Sequence, residues 1–136
     1  MLVKQLSELA ETRAADYTEL REILHPHRDD VSLRYSLAHA VVGAGAASLR
    51  HSLKTSEVYY ILSGSGIMHV GNDVRTVGPG DAVYIPPDTI QWLENPGDEP
   101  VEFLCVVDPA WREEDETVVE NAEQACAEDE EARDLG

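Results

Sequence analysis

A chain of 136 residues with 43% hydrophobic content suits one domain with a modest core. Its formal net charge of −17, from 27 acidic side chains against 10 basic ones, argues against nucleic acid and anionic membranes as partners, since both repel carboxylates. No apolar run reaches the ~18 residues of a bilayer-spanning helix, and the N-terminus lacks a basic-then-apolar secretory pattern, so the expected location is cytoplasmic.

Leu2, Leu6 and Leu9 recur at helix-like spacing in a short, polar N-terminal segment. Residues 18–24 read as a helical turn or an edge strand, and 25–30 as a loop around Pro26. Leu33, Tyr35, Leu37, His39 and Val41 alternate with Arg34, Ser36, Ala38, Ala40 and Val42, the period of a half-buried strand. Further strands are predicted over 57–62, 67–70, 74–77, 82–85, 90–93 and 101–107, with glycine- and proline-rich turns between them. The last strand is apolar almost throughout and reads as buried on both faces. Trp111 is expected to pack on the edge of the domain, placed at 1–111. An acidic tail follows at 112–136, partly helical or disordered, where eleven acidic side chains face only Arg112 and Arg133. Cys105 is expected to be buried and Cys126 free, with no disulfide. So many short strands predict an all-β barrel or sandwich, and periodicity alone does not choose between them.

Two stretches carry chemistry. In the first, five residues separate Gly45 from His51, one separates His51 from Leu53, three separate Leu53 from Glu57, and six separate Glu57 from Gly64. In the second, Gly80 leads by regular steps to Pro86, Asp88, Gln91 and Asn95. The pair resembles the two motifs of the cupin superfamily, G-x5-H-x-H-x3-4-E-x6-G and G-x5-P-x-G-x2-H-x3-N, over residues 31–108. Leu53 stands where the second histidine belongs, Gln91 where the third belongs, and Asp88 where a glycine belongs.

The resemblance implies an all-β, jelly-roll β-barrel with a metal inside it, held in that family by three histidines and a glutamate. Carried over position by position, His51 and Glu57 would be ligands and Gln91 would add an amide oxygen. The ion would be divalent, with Zn, Ni, Mn or Fe as candidates. His39 is a candidate extra ligand, and His25 and His27 are further ones. Leu53, Tyr59 and Ile61 are expected to line the cavity, since residues two apart on a strand share a face. Tyr60 and Trp92 are expected to face away from it. A homodimer is also implied, through residues 18–24 and 101–107.

Three functions remain open at this stage, and no catalytic residue is assigned. One is a metal-dependent enzyme acting on a small molecule. The second is a metal-free barrel that binds a small molecule, sugar-like or other, without catalysis; the two lost histidines favour it. The third is metal-free acid–base catalysis, with His51 or Glu57 as base and Tyr59 as acid. Residues 56–64 are similar to the corresponding segment of sugar-phosphate isomerase cupins, but fold does not dictate reaction. A purely structural alternative pairs His51 with Glu57 inside the barrel. Arg50 and Lys54 beside the motif are read as surface cations in preference to an anion lure.

Overall fold

The computed structural model describes residues 1–119. In chain order its strands are β1 (Thr12–Arg13), β2 (Glu19–Leu24), β3 (Ser36–Val42), β4 (His51–Leu53), β5 (Ser56–Ser63), β6 (Gly66–Val70), β7 (Asp73–Val77), β8 (Ala82–Ile85), β9 (Gln91–Glu94), β10 (Val101–Asp108) and β11 (Glu116–Val118). Six form one sheet in the order β1-β2-β3-β10-β5-β8, and five form the other in the order β11-β4-β9-β6-β7. The ladders are antiparallel throughout, as the frequent short turns require. The two sheets face each other as a jelly-roll barrel. Among these residues no helix is long and apolar enough to cross a membrane.

Several expectations change. The N-terminal leucines yield only a 3-10 turn at Leu6–Glu8, and Leu2 is exposed. Residues 18–24 are a strand but not an edge, because β1 pairs outside β2. The strand predicted from Leu33 begins only at Ser36, whose partner Val107 is the last β3 pairing on β10. Just beyond, Pro109 has no N–H with which to extend the ladder. Strand β10 buries one face fully, at Val101, Phe103, Cys105 and Val107; Leu104 and Val106 on the other face are only half-buried.

The barrel also runs past residue 111, where the tail was expected to begin. A 3-10 turn at Glu113–Asp115 leads into β11, which pairs with β4 and sets Val118 opposite His51. The rest of the expected tail, 120–136 with Cys126, lies outside the described residues.

The core follows from the inward-facing alternation. Ile61, Phe103, Val101, Leu93 and Ile85 are almost wholly buried, and the Tyr59 and Phe103 rings meet at 4.5 Å. Each such burial contributes roughly 1.5–3 kcal/mol. Gly64 closes the β5–β6 turn at φ 76°, where a Cβ would stand 2.2 Å from the Pro100 carbonyl oxygen. Along β5 and β10 the inward residues change from packed core at Ile61 and Val101 to cavity wall at Glu57 and Val107. Beside them in the same sheet, β3 presents the small side chains Ser36, Ala38 and Ala40, which leave that end hollow.

Candidate functional site

The hollow end is a cavity of about 550 Å³, with His51, Leu53, Glu57 and Tyr59 in its wall. His51 on β4 stands directly across from Gln91 on β9, and Glu57 reaches in from β5 on the other sheet. Gln91 Nε2 donates to Glu57 Oε1 at 2.8 Å, joining the two sheets. Gln91 is wholly buried, and its Oε1 has no hydrogen-bond partner among the described residues. The His51 ring is held from behind: Nδ1 lies 2.8 Å from the Leu49 carbonyl, which can only accept, so Nδ1 carries a proton. Nε2 is therefore the nitrogen turned toward the cavity.

Two carboxylates outside both motifs complete the floor. Asp16 is buried in the β1–β2 turn and places Oδ2 3.5 Å from His51 Nε2. That turn is tightly made: Asp16 Oδ1 accepts from the Thr18 N–H at 3.2 Å and its hydroxyl at 2.8 Å. The Asp16 carbonyl also accepts from the Leu49 N–H at 2.7 Å, fastening the turn to the strand that carries His51. Tyr17 takes a left-handed φ of 71° to make the bend. Glu116 on β11 also lines the cavity. Neither residue carries a spacing signal. Asp16 followed by Thr18 reads only as turn chemistry, and Glu116 was assigned to a solvated tail.

Crowded carboxylates buried in a cavity wall resist ionisation. Burial pushes the Glu57 carboxyl up to about 7; His51 and the Gln91 N–H pull it down, while Asp16 and Glu116 push it further up. Burial likewise raises Glu116, against the opposing pull of His51. Tyr59 is held well above the usual phenol range, by burial first and then by Glu57, so it keeps its proton. The Cys105 thiol on the same wall is raised for the same reasons.

The other residues singled out from sequence fall elsewhere. Strand β3 turns the face of Ser36, Ala38 and Ala40 to the cavity, so His39 points away, 4.0 Å from Glu102 on the outer face. The reason is steric, because only the small side chains of that strand leave the hollow open. Ile61 belongs to the packed core instead of the cavity wall, lying one step too far along β5. His25 is a satisfied buried residue, its Nε2–H donating to the Trp111 carbonyl at 2.7 Å and its Nδ1 accepting from the His27 N–H at 3.1 Å. His27 is exposed. Tyr60 faces out, and Trp92 lies on the outer side of its sheet, stacked on His69 at 3.9 Å, with the Arg50 guanidinium over its ring at 4.8 Å. Asp88, at the motif's glycine position, adopts the left-handed φ of 59° that a glycine would supply. His51 and Glu57 do not bond each other directly; their partners are Asp16 and Gln91.

The donor set does not fit a resident divalent metal as it is placed. Leu53 fills one ligand position with hydrocarbon, and the Glu57 carboxylate is engaged by Gln91 N–H instead of sharing a centre with Gln91 Oε1. Among the described residues no three His, Cys, Asp or Glu side chains converge in metal-holding geometry.

A two-sheet jelly roll with polar side chains of both sheets inside its open end defines a cup-shaped β-barrel. The chain belongs to the cupin family, since a model of the cupin domain matches residues 38–107. It is 41% identical over 106 residues to MJ1618 of Methanocaldococcus jannaschii, an uncharacterized protein, covering 77% of this chain and 84% of that one. It is 27% identical over 90 residues to mannose-1-phosphate guanylyltransferase of Escherichia coli. That match covers 65% of this chain but spans only 19% of the enzyme's length. In fold it is similar to the polyketide cyclase RemF of Streptomyces resistomycificus, with a TM-score of 0.75 at 19% identity, over 90% of this chain and 88% of that one.

Proposed function

We propose that this protein is a small-molecule enzyme that transfers protons inside its barrel without a resident metal. The observation that carries this reading is that Glu57 and Tyr59 from one sheet and His51 from the other line the same cavity, with Glu57 held by the Gln91 N–H and His51 Nδ1 by the Leu49 carbonyl. The substrate class is a small carbonyl compound. Glu57 is the base: Gln91 pins one carboxylate oxygen, and a carboxyl near 7 populates both forms at neutral pH, where a general base is most effective. It removes a proton from carbon beside the carbonyl, and negative charge moves to the carbonyl oxygen. The neutral Tyr59 hydroxyl donates a hydrogen bond to that oxygen. Return of the proton to the same carbon gives exchange or epimerisation; departure of a leaving group with its bonding electrons from the next carbon, as the carbonyl re-forms, gives elimination. Metal dependence is the competing reading, and it is an outcome of the test.

The test uses chelator-treated protein in deuterium oxide with a panel of ketoses, keto acids and amino ketones, read by proton NMR. Wild type should exchange carbon-bound hydrogen in at least one panel member. Glu57→Gln should lower that rate by about 10²–10⁴-fold, the usual contribution of a positioned base. Exchange that appears only after a divalent ion is restored would overturn the proposal.

The same proposal includes a homodimer through the outer face of the six-stranded sheet. Its support is the apolar surface there: Tyr60 is 46% and Tyr84 59% exposed, beside exposed Val58 and Leu62.

A further inference from the structure

We propose that residues 4–13 form a lid on the cavity, swinging on the turn at Ala14–Thr18 and latched near its free end by the Lys4–Asp29 ion pair. The lid governs access and leaves the chemistry inside untouched, so it stands or falls separately from the proton-transfer reading.

The first observation is where the N-terminal segment lies. Lys4, Ala10, Thr12 and Arg13 line the same cavity as Glu57 and Tyr59. This part of the wall is a 3-10 turn, loop and the two residues of β1, whereas the walls made by β3, β5 and β10 are long paired strands.

The second observation is how lightly this stretch is held. None of residues 1–15 is buried. Met1, Leu2 and Val3 are exposed, and Leu6 and Leu9 are only half-buried. Strand β1 adds two register pairs with β2, Thr12 with Leu20 and Arg13 with Glu19. The remaining fastenings are charged: Lys4 Nζ donates to Asp29 Oδ1 at 2.6 Å, and Arg21 Nη2 to Glu11 Oε2 at 3.1 Å. All four side chains keep some exposure, and pairs of that kind add little to stability. A segment with few buried apolar contacts opens locally, far below the cost of unfolding the whole domain.

The third observation is that both ends of the swing are fixed. At the hinge, the Ala14 N–H donates to the Thr18 carbonyl at 2.9 Å and the Tyr17 N–H to the Ala14 carbonyl at 3.0 Å. The Leu49 N–H holds the Asp16 carbonyl at 2.7 Å, so the chain is tied down from there onward. At the latch, Asp29 Oδ2 accepts from the His25 N–H at 3.0 Å, and the His25 ring is bonded to the Trp111 carbonyl at 2.7 Å. Motion therefore falls to the stretch between, and Lys4 leaves Asp29 when the lid opens.

The test reads Cys105, whose thiol lies in the cavity wall. In the full chain with Cys126→Ser, iodoacetamide labelling at one fixed pH is followed by mass spectrometry, beside backbone hydrogen exchange. Lys4→Gln and Glu11→Gln should each speed Cys105 labelling about two- to fivefold, the effect of losing a partly exposed ion pair. The double variant should multiply the two effects. Amide exchange should rise over residues 4–13 while the β10 amides stay protected. The swapped pair Glu11→Arg, Arg21→Glu should return labelling to the wild-type rate, and Glu11→Arg alone should not. Unchanged labelling in both single variants, or a swapped pair as fast as Glu11→Arg alone, would overturn the lid. So would faster labelling matched by faster β10 exchange, since the route in would then be global unfolding.

Discussion

Glu57 makes its own pH dependence. In the unfolded chain its carboxyl titrates near 4.5, and in the fold near 7. Between those values only the folded chain holds the proton, so folding stability falls as pH rises through that window. Above about 7 the loss is complete and amounts to about 3 kcal/mol. Urea unfolding of wild type and Glu57→Gln across pH 4 to 8 should show this slope in the first and its absence in the second. A parallel pair of curves would remove Glu57 as the cause. Leu53 bears on metal affinity: Leu53→His would supply the imidazole that the motif lacks, two residues from His51 on the same face. Zn²⁺ or Ni²⁺ binding by calorimetry should tighten about tenfold or more in that variant. No change would mean that position 53 does not share the site. His51, Glu57 and Gln91 were legible because motif spacing and strand period put their side chains on inward faces. Asp16 and Glu116 were not, because each reaches the cavity through a long-range pairing that no local pattern announces.

At the scale of elements, turns do the positioning. Gly64 combines a left-handed φ with a Cβ position 2.2 Å from backbone. Gly64→Ala should therefore cost more than the roughly 1–2 kcal/mol of left-handed strain alone. Gly80, at φ 89° with open space around its Cβ position, should lose only that strain on substitution by alanine. Equal losses at the two sites, measured by chemical denaturation, would show that the clash is relieved by movement of the Pro100 segment. The strands from β5 to β10 were legible in sequence because turn residues punctuate them and apolar residues alternate within them. The face of β3 was misleading. Its larger residues, Leu37, His39 and Val41, look outward, and its small ones face in, since the barrel there encloses a cavity and not a packed core. Strand β11 was hidden by its composition: Glu116, Thr117 and Val118 read as an acidic tail, and only pairing with β4 makes them a strand.

Across the whole molecule, one sheet has a covered inner face and an apolar outer one, while the opposite sheet carries the His51 and Gln91 side of the site. The outer apolar patch predicts that the chain sediments as a dimer and that a Tyr60→Lys, Tyr84→Lys variant sediments as a monomer. A monomeric wild type at micromolar concentration would contradict that. The cavity between the sheets holds the central claim, that a buried glutamate, a tyrosine and a histidine hold and move protons without a resident metal. It is tested most directly by ¹³C NMR titration of the Glu57 carboxyl, before and after chelation. The expected result is an apparent pKa near 7 that chelation leaves unchanged. A titration in the ordinary glutamate range, or a Glu57 resonance that shifts when metal is stripped, would contradict it.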